Sequence, residues 1–329
     1  MSGYFFKNTA KYALFISVSM ISLQANAWDF TPDSTRILSD PAFFPTQGQV
    51  YGTTGYSYSG VTGDITSNNG VRDHYRNDTN NVNQRLEYGI TNDIMVGVTD
   101  SYDWRKDKDS YSNGNTFDYN LRGFTDPSFE VDWRARDQKD STANLDFFAF
   151  YSPDAFDARQ ATTTRDGRIA FGGQTASLGS SVSYETKDFT AYGSGEVTYL
   201  GSHNYDTSFL TSSSTTDDDA RWQYSLSVDT QTRLCKEFSV NLGATETFNT
   251  KLDGHNAVNQ SVFSYNAANV TDLAASFNYT VIPNKLVAAI TYNYDIYGSN
   301  NLVSNGQFID HYNNETGSVA GVKLFYTFN

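Results

Sequence analysis

Residues 286–296 read Leu-Val-Ala-Ala-Ile-Thr-Tyr-Asn-Tyr-Asp-Ile, and their alternation decides the fold. Successive side chains of an extended chain point to opposite faces. Leu286, Ala288, Ile290, Tyr292, Tyr294 and Ile296 therefore share one apolar face, while Val287, Ala289, Thr291, Asn293 and Asp295 form a face that turns polar along its length. The same period recurs upstream, where Val82, Leu86, Tyr88 and Ile90 alternate with Asn83, Arg85, Glu87 and Gly89, with Gln84 as the exception. After Thr91-Asn92-Asp93 it resumes: Ile94, Val96, Val98, Tyr102 and Trp104 alternate with Met95, Gly97, Thr99, Ser101 and Asp103, which makes a hairpin.

Short turns of this kind recur at 137–140, 185–188, 235–237 and 282–285. Between the hairpins lie longer polar stretches at 60–80, 105–127, 152–176, 201–220, 249–268 and 298–316, read as loops. A regular exchange of short turns and long connections is the pattern of an outer-membrane barrel, with tight periplasmic turns and long extracellular loops. A strand at 49–59, five hairpins and a last strand at 318–328 give 12 strands. The fold class is thus all-β, a transmembrane antiparallel β-barrel of about 12 strands. At ~4.8 Å spacing and ~40° tilt its backbone runs about 12 Å from the axis, which leaves room for a narrow polar lumen.

The chain has 329 residues and a net charge of −14, with 23 Tyr, 23 Phe, 4 Trp and 15% aromatic residues overall. It shows no basic patch for nucleic acid. A single cysteine, Cys235, excludes an internal disulfide and zinc sites of the paired-cysteine type. Lys7 and Lys11, the apolar run Tyr12–Leu23 and Ala25-Asn26-Ala27 read as a signal peptide over 1–27. The run is too short to cross a bilayer as a helix. Residues 28–48, with Pro32, Pro41 and Pro45, lack alternation and form a periplasmic or plug segment, a loose tail being favoured; 49–329 is the barrel.

Aromatic side chains gather where a barrel wall meets the lipid headgroups. Candidates for the two girdles are Tyr88, Tyr102, Trp104, Trp133, Tyr292, Tyr326 and Phe328, joined by Tyr184, Tyr199, Trp222, Tyr224 and Tyr294. On the opposite parity Arg85, Glu87, Glu130, Asp132, Arg134 and Arg136 face the lumen as selectivity candidates, with Asp103, Asp146, Glu196 and Asp229 beyond them. Mixed charge there either orients a polar solute or forms structural ion pairs that plug a non-conducting barrel.

Catalysis has little to draw on. The four histidines, His74, His203, His255 and His311, fall in the polar stretches, none is followed by Ser two positions on, and Asp73-His74 is an isolated acid–base match. Asp217-Asp218-Asp219 lacks calcium-loop spacing and reads as solvated loop. No cofactor or metal is implied.

Glu87-Tyr88-Gly89-Ile90-Thr91-Asn92-Asp93 followed by Ile94-Met95-Val96-Gly97-Val98, and Gly123-Phe124-Thr125-Asp126-Pro127-Ser128 leading into 129–136, resemble the outer-membrane family named for the meta pathway of phenol degradation. Thr125 stands where that family has a second Gly, and its Leu-Pro-Thr-Gly is reduced to Ser152-Pro153-Asp154. The resemblance, over about residues 82–154, implies an outer-membrane barrel and uptake of hydrophobic or aromatic compounds. The penultimate Phe328 likewise resembles the terminal aromatic read by the barrel-assembly machinery, with Asn329 a departure. The expected location is the outer membrane of a Gram-negative bacterium, and the expected partners are its lipid and lipopolysaccharide, the assembly machinery and a small-molecule solute. The leading expectation is a passive channel or transporter for small solutes and not an enzyme. The alternative is a non-conducting surface or structural barrel binding partners through its loops, with an outer-membrane hydrolase third.

Overall fold

A computed structural model describes residues 38–328 apart from 140, 160, 162–165, 171, 187, 207–214, 257–261 and 266–268. The signal-peptide reading of 1–27, residues 28–37 and Asn329 lie outside the described residues. Among the described residues no helix is long and apolar enough to cross a membrane. Strands carry the fold: β1 (Val50–Ser67), β2 (Arg72–Gly89), β3 (Ile94–Ser110), β4 (Thr116–Phe124), β5 (Ser128–Arg136), β6 (Asn144–Ser152), β7 (Thr175–Glu185), β8 (Phe189–Leu200) and β9 (His203–Asp206). The second half supplies β10 (Thr215–Asp218), β11 (Arg221–Arg233), β12 (Phe238–Asn249), β13 (Leu252–Asn256), β14 (Val262–Tyr265), β15 (Val270–Ile282), β16 (Leu286–Tyr297), β17 (Asn300–Ser304) and β18 (Gln307–Phe328).

Six pairs of these, β4/β5, β8/β9, β10/β11, β12/β13, β14/β15 and β16/β17, are halves of interrupted staves, so the wall has 12 antiparallel strands. It closes where β1 pairs with β18, from Val50 opposite Phe328 onward. Closure is required because an open edge in hydrocarbon would leave backbone groups without hydrogen-bond partners. The turns at one end are short, as read from the sequence, and one of them holds Asn284 at φ 57°, a conformation Asn tolerates better than most residues. This end also carries the close of β18 and the N-terminal segment.

Alternation sorts the faces as expected. On β16, Ile290 and Tyr292 are exposed and Val287 and Ala289 buried. The girdle candidates all lie on the outward face; Trp133 stacks on Phe147 at 5.8 Å, and Tyr102 meets Phe124 edge-on at 5.1 Å.

The long connections differ from their reading as loops, because most are strand. β1 and β2 each run 18 residues and are joined at 68–71, while a membrane strand needs only about 9–11 residues. The surplus extends past the length needed for spanning, where the outward face is polar and the inward face mixes buried apolar residues such as Ile65 and Tyr75 with polar ones such as Asp73 and Asn77, so the apolar alternation of the spanning part is lost. Gly70, Gly114 and Gly306, each after an Asn and each at positive φ, close three of these outer hairpins. The 153–174 connection, in contrast, folds inward.

Candidate channel interior

The N-terminal segment crosses the interior at the short-turn end. Positions 38–45 are all buried, against the expectation of a loose tail. Ala42, Phe43 and Phe44 pack with Leu38 on inward-facing Tyr51, Met95, Tyr192, Val287, Ala289 and Phe325. Hydrogen bonds tie the segment to four staves. The Tyr51 hydroxyl donates to the Leu38 carbonyl at 2.9 Å, the Thr190 hydroxyl to Asp40 at 2.6 Å, the Asn241 amide to the Ser39 carbonyl at 2.8 Å, and Gln231 to the Ser39 hydroxyl at 3.4 Å. The Phe43 ring stacks on Tyr51 at 4.2 Å, and the Phe44 ring lies 4.7 Å from the Arg134 guanidinium carbon. Apolar inward positions near the turns, such as Met95 and Val287, form the surface on which this segment packs.

The opposite end is filled by a second apolar cluster. Ala158 and Ala161, from the 153–174 connection, pack among Ile65, Tyr75, Leu121, Tyr265 and Tyr312, which come from five different strands. Gly167 donates to the Asn120 carbonyl at 2.8 Å and accepts from the Arg122 amide at 3.3 Å, so the connection adds a short rung to the edge of β4. Asp126, in the break between β4 and β5, accepts hydrogen bonds from the amides of Ala155 and Phe156, both at 2.9 Å.

The interior is also charged, starting beside the N-terminal cluster. Arg85, Glu87, Glu130, Asp132 and Arg134 are brought together here and buried, each at most 7% exposed. The sheet sets their spacing, because Glu87 and Glu130 lie on either side of Gly97 in register. A side chain at that glycine would overlap the Glu130 carboxylate. Arg85 bonds Glu130 through Nε and Nη2, at 3.0 and 2.9 Å, and its Nε stands 2.6 Å from a Glu87 oxygen. Arg134 makes a two-pronged pair with Asp146 at 2.8 and 3.0 Å. Such forked pairs hold both side chains in one orientation.

Arg136 does not join this group. The register slips between Arg134 and Arg136, and Arg136 is exposed at the rim beside the short turns. Across the described residues the buried charge is unbalanced, with fourteen carboxylates against four arginines (Arg85, Arg105, Arg134 and Arg221) and no lysine.

The COG4313 outer membrane channel from Pseudomonas putida F1 superposes with a TM-score of 0.54 at 11% identity, covering 87% of this chain and 97% of that one. The transport unit of the autotransporter AIDA-I from Escherichia coli superposes at 0.50 and 15% identity, covering 86% and 91%. The fold is that of an outer-membrane β-barrel. No protein-family model and no curated protein matches the sequence. At these identities the likeness speaks for fold alone, and the two neighbours themselves do different work.

The histidines are dispersed. Asp73 is buried and faces inward, whereas His74 is exposed, bonds Asp64 at 3.2 Å and faces outward, so neighbours in sequence point apart. His203 lies 3.0 Å from Asp218, which places one of the three consecutive aspartates in a buried pair on β9 and β10 rather than in a solvated loop. His311 bonds Asn301 at 2.7 Å. Cys235 is exposed at a short turn beside Glu237.

Proposed function

We propose that this protein is a passive outer-membrane channel for small solutes, non-enzymatic, with a path that runs past the buried charges once the N-terminal segment leaves one end and the packing around Ala158 and Ala161 loosens at the other. The observation that carries this reading is the buried charge of the interior, which begins beside the N-terminal segment at Asp132 and Arg134 and continues up the wall through Asp103, Arg105 and Asp107. A barrel that only had to be filled would be more stable with apolar side chains, because desolvating ions costs several kcal/mol each and pairing at best repays it. Buried charge in such number is instead what a water-bearing path requires, and one closure is a separable segment tied on by a few hydrogen bonds. The sequence resemblance and the fold both agree with a channel, and hydrophobic or aromatic solutes remain the candidate cargo.

Planar-bilayer recording of the full mature chain tests this. The expected result is a low open probability that rises when the segment's anchors are weakened by Asp40→Ala together with Phe44→Ala. A silent wild type and an equally silent variant would instead favour a non-conducting surface barrel, the reading supported by closure at both ends.

A further inference from the structure

Among these buried charges one carboxylate stands apart. Glu130 takes both prongs of Arg85 and Asp146 both prongs of Arg134, and Glu87 has its ion pair with Arg85. Asp132 lies on β5 between those two arginines, is 2% exposed, and neither of its oxygens has a hydrogen bond. In the sheet it is flanked in register by inward-facing Met95 on one side and Phe148 on the other, both buried. A buried carboxylate in that state is costly unless a donor reaches it, and no buried lysine exists among the described residues to do so.

We propose that Asp132 is the docking point for the ammonium head of an amine-bearing solute, with Phe148 and, where the N-terminal segment gives way, Met95 beside its apolar body. Ammonium supplies three N–H donors and a positive charge to a site whose existing arginines are already engaged. A bare divalent ion fits less well, since no group of three or more ligating side chains among the described residues is placed to hold one. A carboxylate solute would meet Glu87, Glu130, Asp132 and Asp146 together and be repelled, as rings of like charge do in selective pores. The inference deepens the channel reading and rests on it for passage, whereas binding at Asp132 can be measured without passage.

The test titrates the full mature chain in detergent with benzylammonium chloride, benzyl alcohol and sodium benzoate by calorimetry, and follows thermal unfolding with each. Benzylammonium is expected to bind saturably and raise the melting temperature. Asp132→Asn should weaken binding at least tenfold, and Glu237→Gln at a short turn should leave it intact. Benzoate should give no heat. Removing an uncompensated buried charge should leave the barrel folded, and Asp132→Leu provides a second variant with the same expected loss. Absence of saturable benzylammonium binding to the wild type, or equal binding by Asp132→Asn and Asp132→Leu, overturns the proposal. Proteoliposome flux separates the two readings. Saturable binding without flux leaves the site standing and removes the channel. Equal flux of benzylammonium and benzoate without Asp132-dependent binding removes the site and leaves the channel.

Discussion

Phe44→Ala should unlock the N-terminal segment, and the structure sets the size of the effect. The Phe44 ring is fully buried, packs in the cluster with Met95, Val287 and Phe325, and lies 4.7 Å from the Arg134 guanidinium carbon. Truncating a buried Phe costs about 3–5 kcal/mol in a core, and the lost cation–π contact adds about 1 kcal/mol. The wall closes through its own strand pairs, β1 with β18 included, so this loss is expected to fall on the docking equilibrium. At 1.4 kcal/mol per decade, even ~3 kcal/mol raises the ratio of undocked to docked segment about a hundredfold. Single-channel recording reads that ratio as open probability, and limited proteolysis of intact vesicles from the periplasmic side reads it as cleavage within residues 38–45. Phe44→Leu keeps most of the apolar volume and should return most of the wild-type behaviour. If wild type, Phe44→Ala and Phe44→Leu share one open probability and one cleavage rate, the segment is not the closure.

Three further outcomes follow from the wall and its buried charges. Arg85→Ala strands Glu87 and Glu130 as buried, uncompensated acids and should cost about 3–5 kcal/mol in urea unfolding from vesicles, while Arg85→Met with Glu87→Gln and Glu130→Gln should regain most of that loss. Leu178→Arg, on the outward face at 69% exposure, should cost about 2–4 kcal/mol, in contrast to a smaller change for the inward neighbour Ser177→Asn; equal losses in the same assay would refute the assignment of faces. Gly306→Ala places a Cβ at φ 77° in a two-residue hairpin and should destabilise the outer end of β17–β18 by ~1 kcal/mol, seen as faster amide exchange there with the membrane-level strands unchanged.

Much of the wall was legible because hydrophobic alternation reports a strand wherever its two faces meet different media. At membrane depth Leu286 to Ile296 has lipid on one side and the interior on the other, and the pattern is clear. Above the lipid the strand continues but the contrast stops. In Arg72–Asn81 the outward Arg72, His74, Arg76 and Asp78 are polar and of the inward residues Tyr75 alone is apolar, beside buried Asp73, Asn77 and Asn81, so strand reads as loop. Chemistry of a different kind marked those hairpins, namely Asn69-Gly70, Asn113-Gly114 and Asn305-Gly306, and it is independent of hydrophobicity. The interior was legible by parity, which placed Arg85, Glu87, Glu130, Asp132 and Arg134 inward. Parity does not register a slip, and the slip between Arg134 and Arg136 moved the last of them to the rim. The inward course of 38–45 left a trace that alternation alone does not decode. Two inner faces begin apolar at the short turns, with Met95 before Gly97 and Ser101, and Val287 and Ala289 before Asn293 and Asp295, whereas β2 and β5 begin there with Glu87 and Arg134. The apolar positions at that end are the ones the segment covers.

Gln84, the polar residue on an apolar face, shows how the wall accommodates an exception at its own seam. It faces outward, opposite Thr54 on β1. The Thr54 hydroxyl donates to the Gln84 carbonyl oxygen at 2.5 Å, and the Gln84 amide donates to the Tyr326 hydroxyl at 2.6 Å and to the backbone carbonyls of Thr53 and Arg85 at 3.2 and 3.0 Å. Tyr326 belongs to the closing strand and reaches β2 across β1 because Gly52, directly opposite it, has no side chain; a Cβ there would occupy the Tyr326 ring. Ring over glycine is a known device for stiffening a weak position in a sheet. Here it also carries a hydroxyl to an amide that lipid could not satisfy, so a side chain costly in isolation becomes a link between the first two strands and the last. The polar residue, the glycine and the aromatic near the C-terminus are therefore one feature of barrel closure, although the sequence separates them by more than two hundred positions.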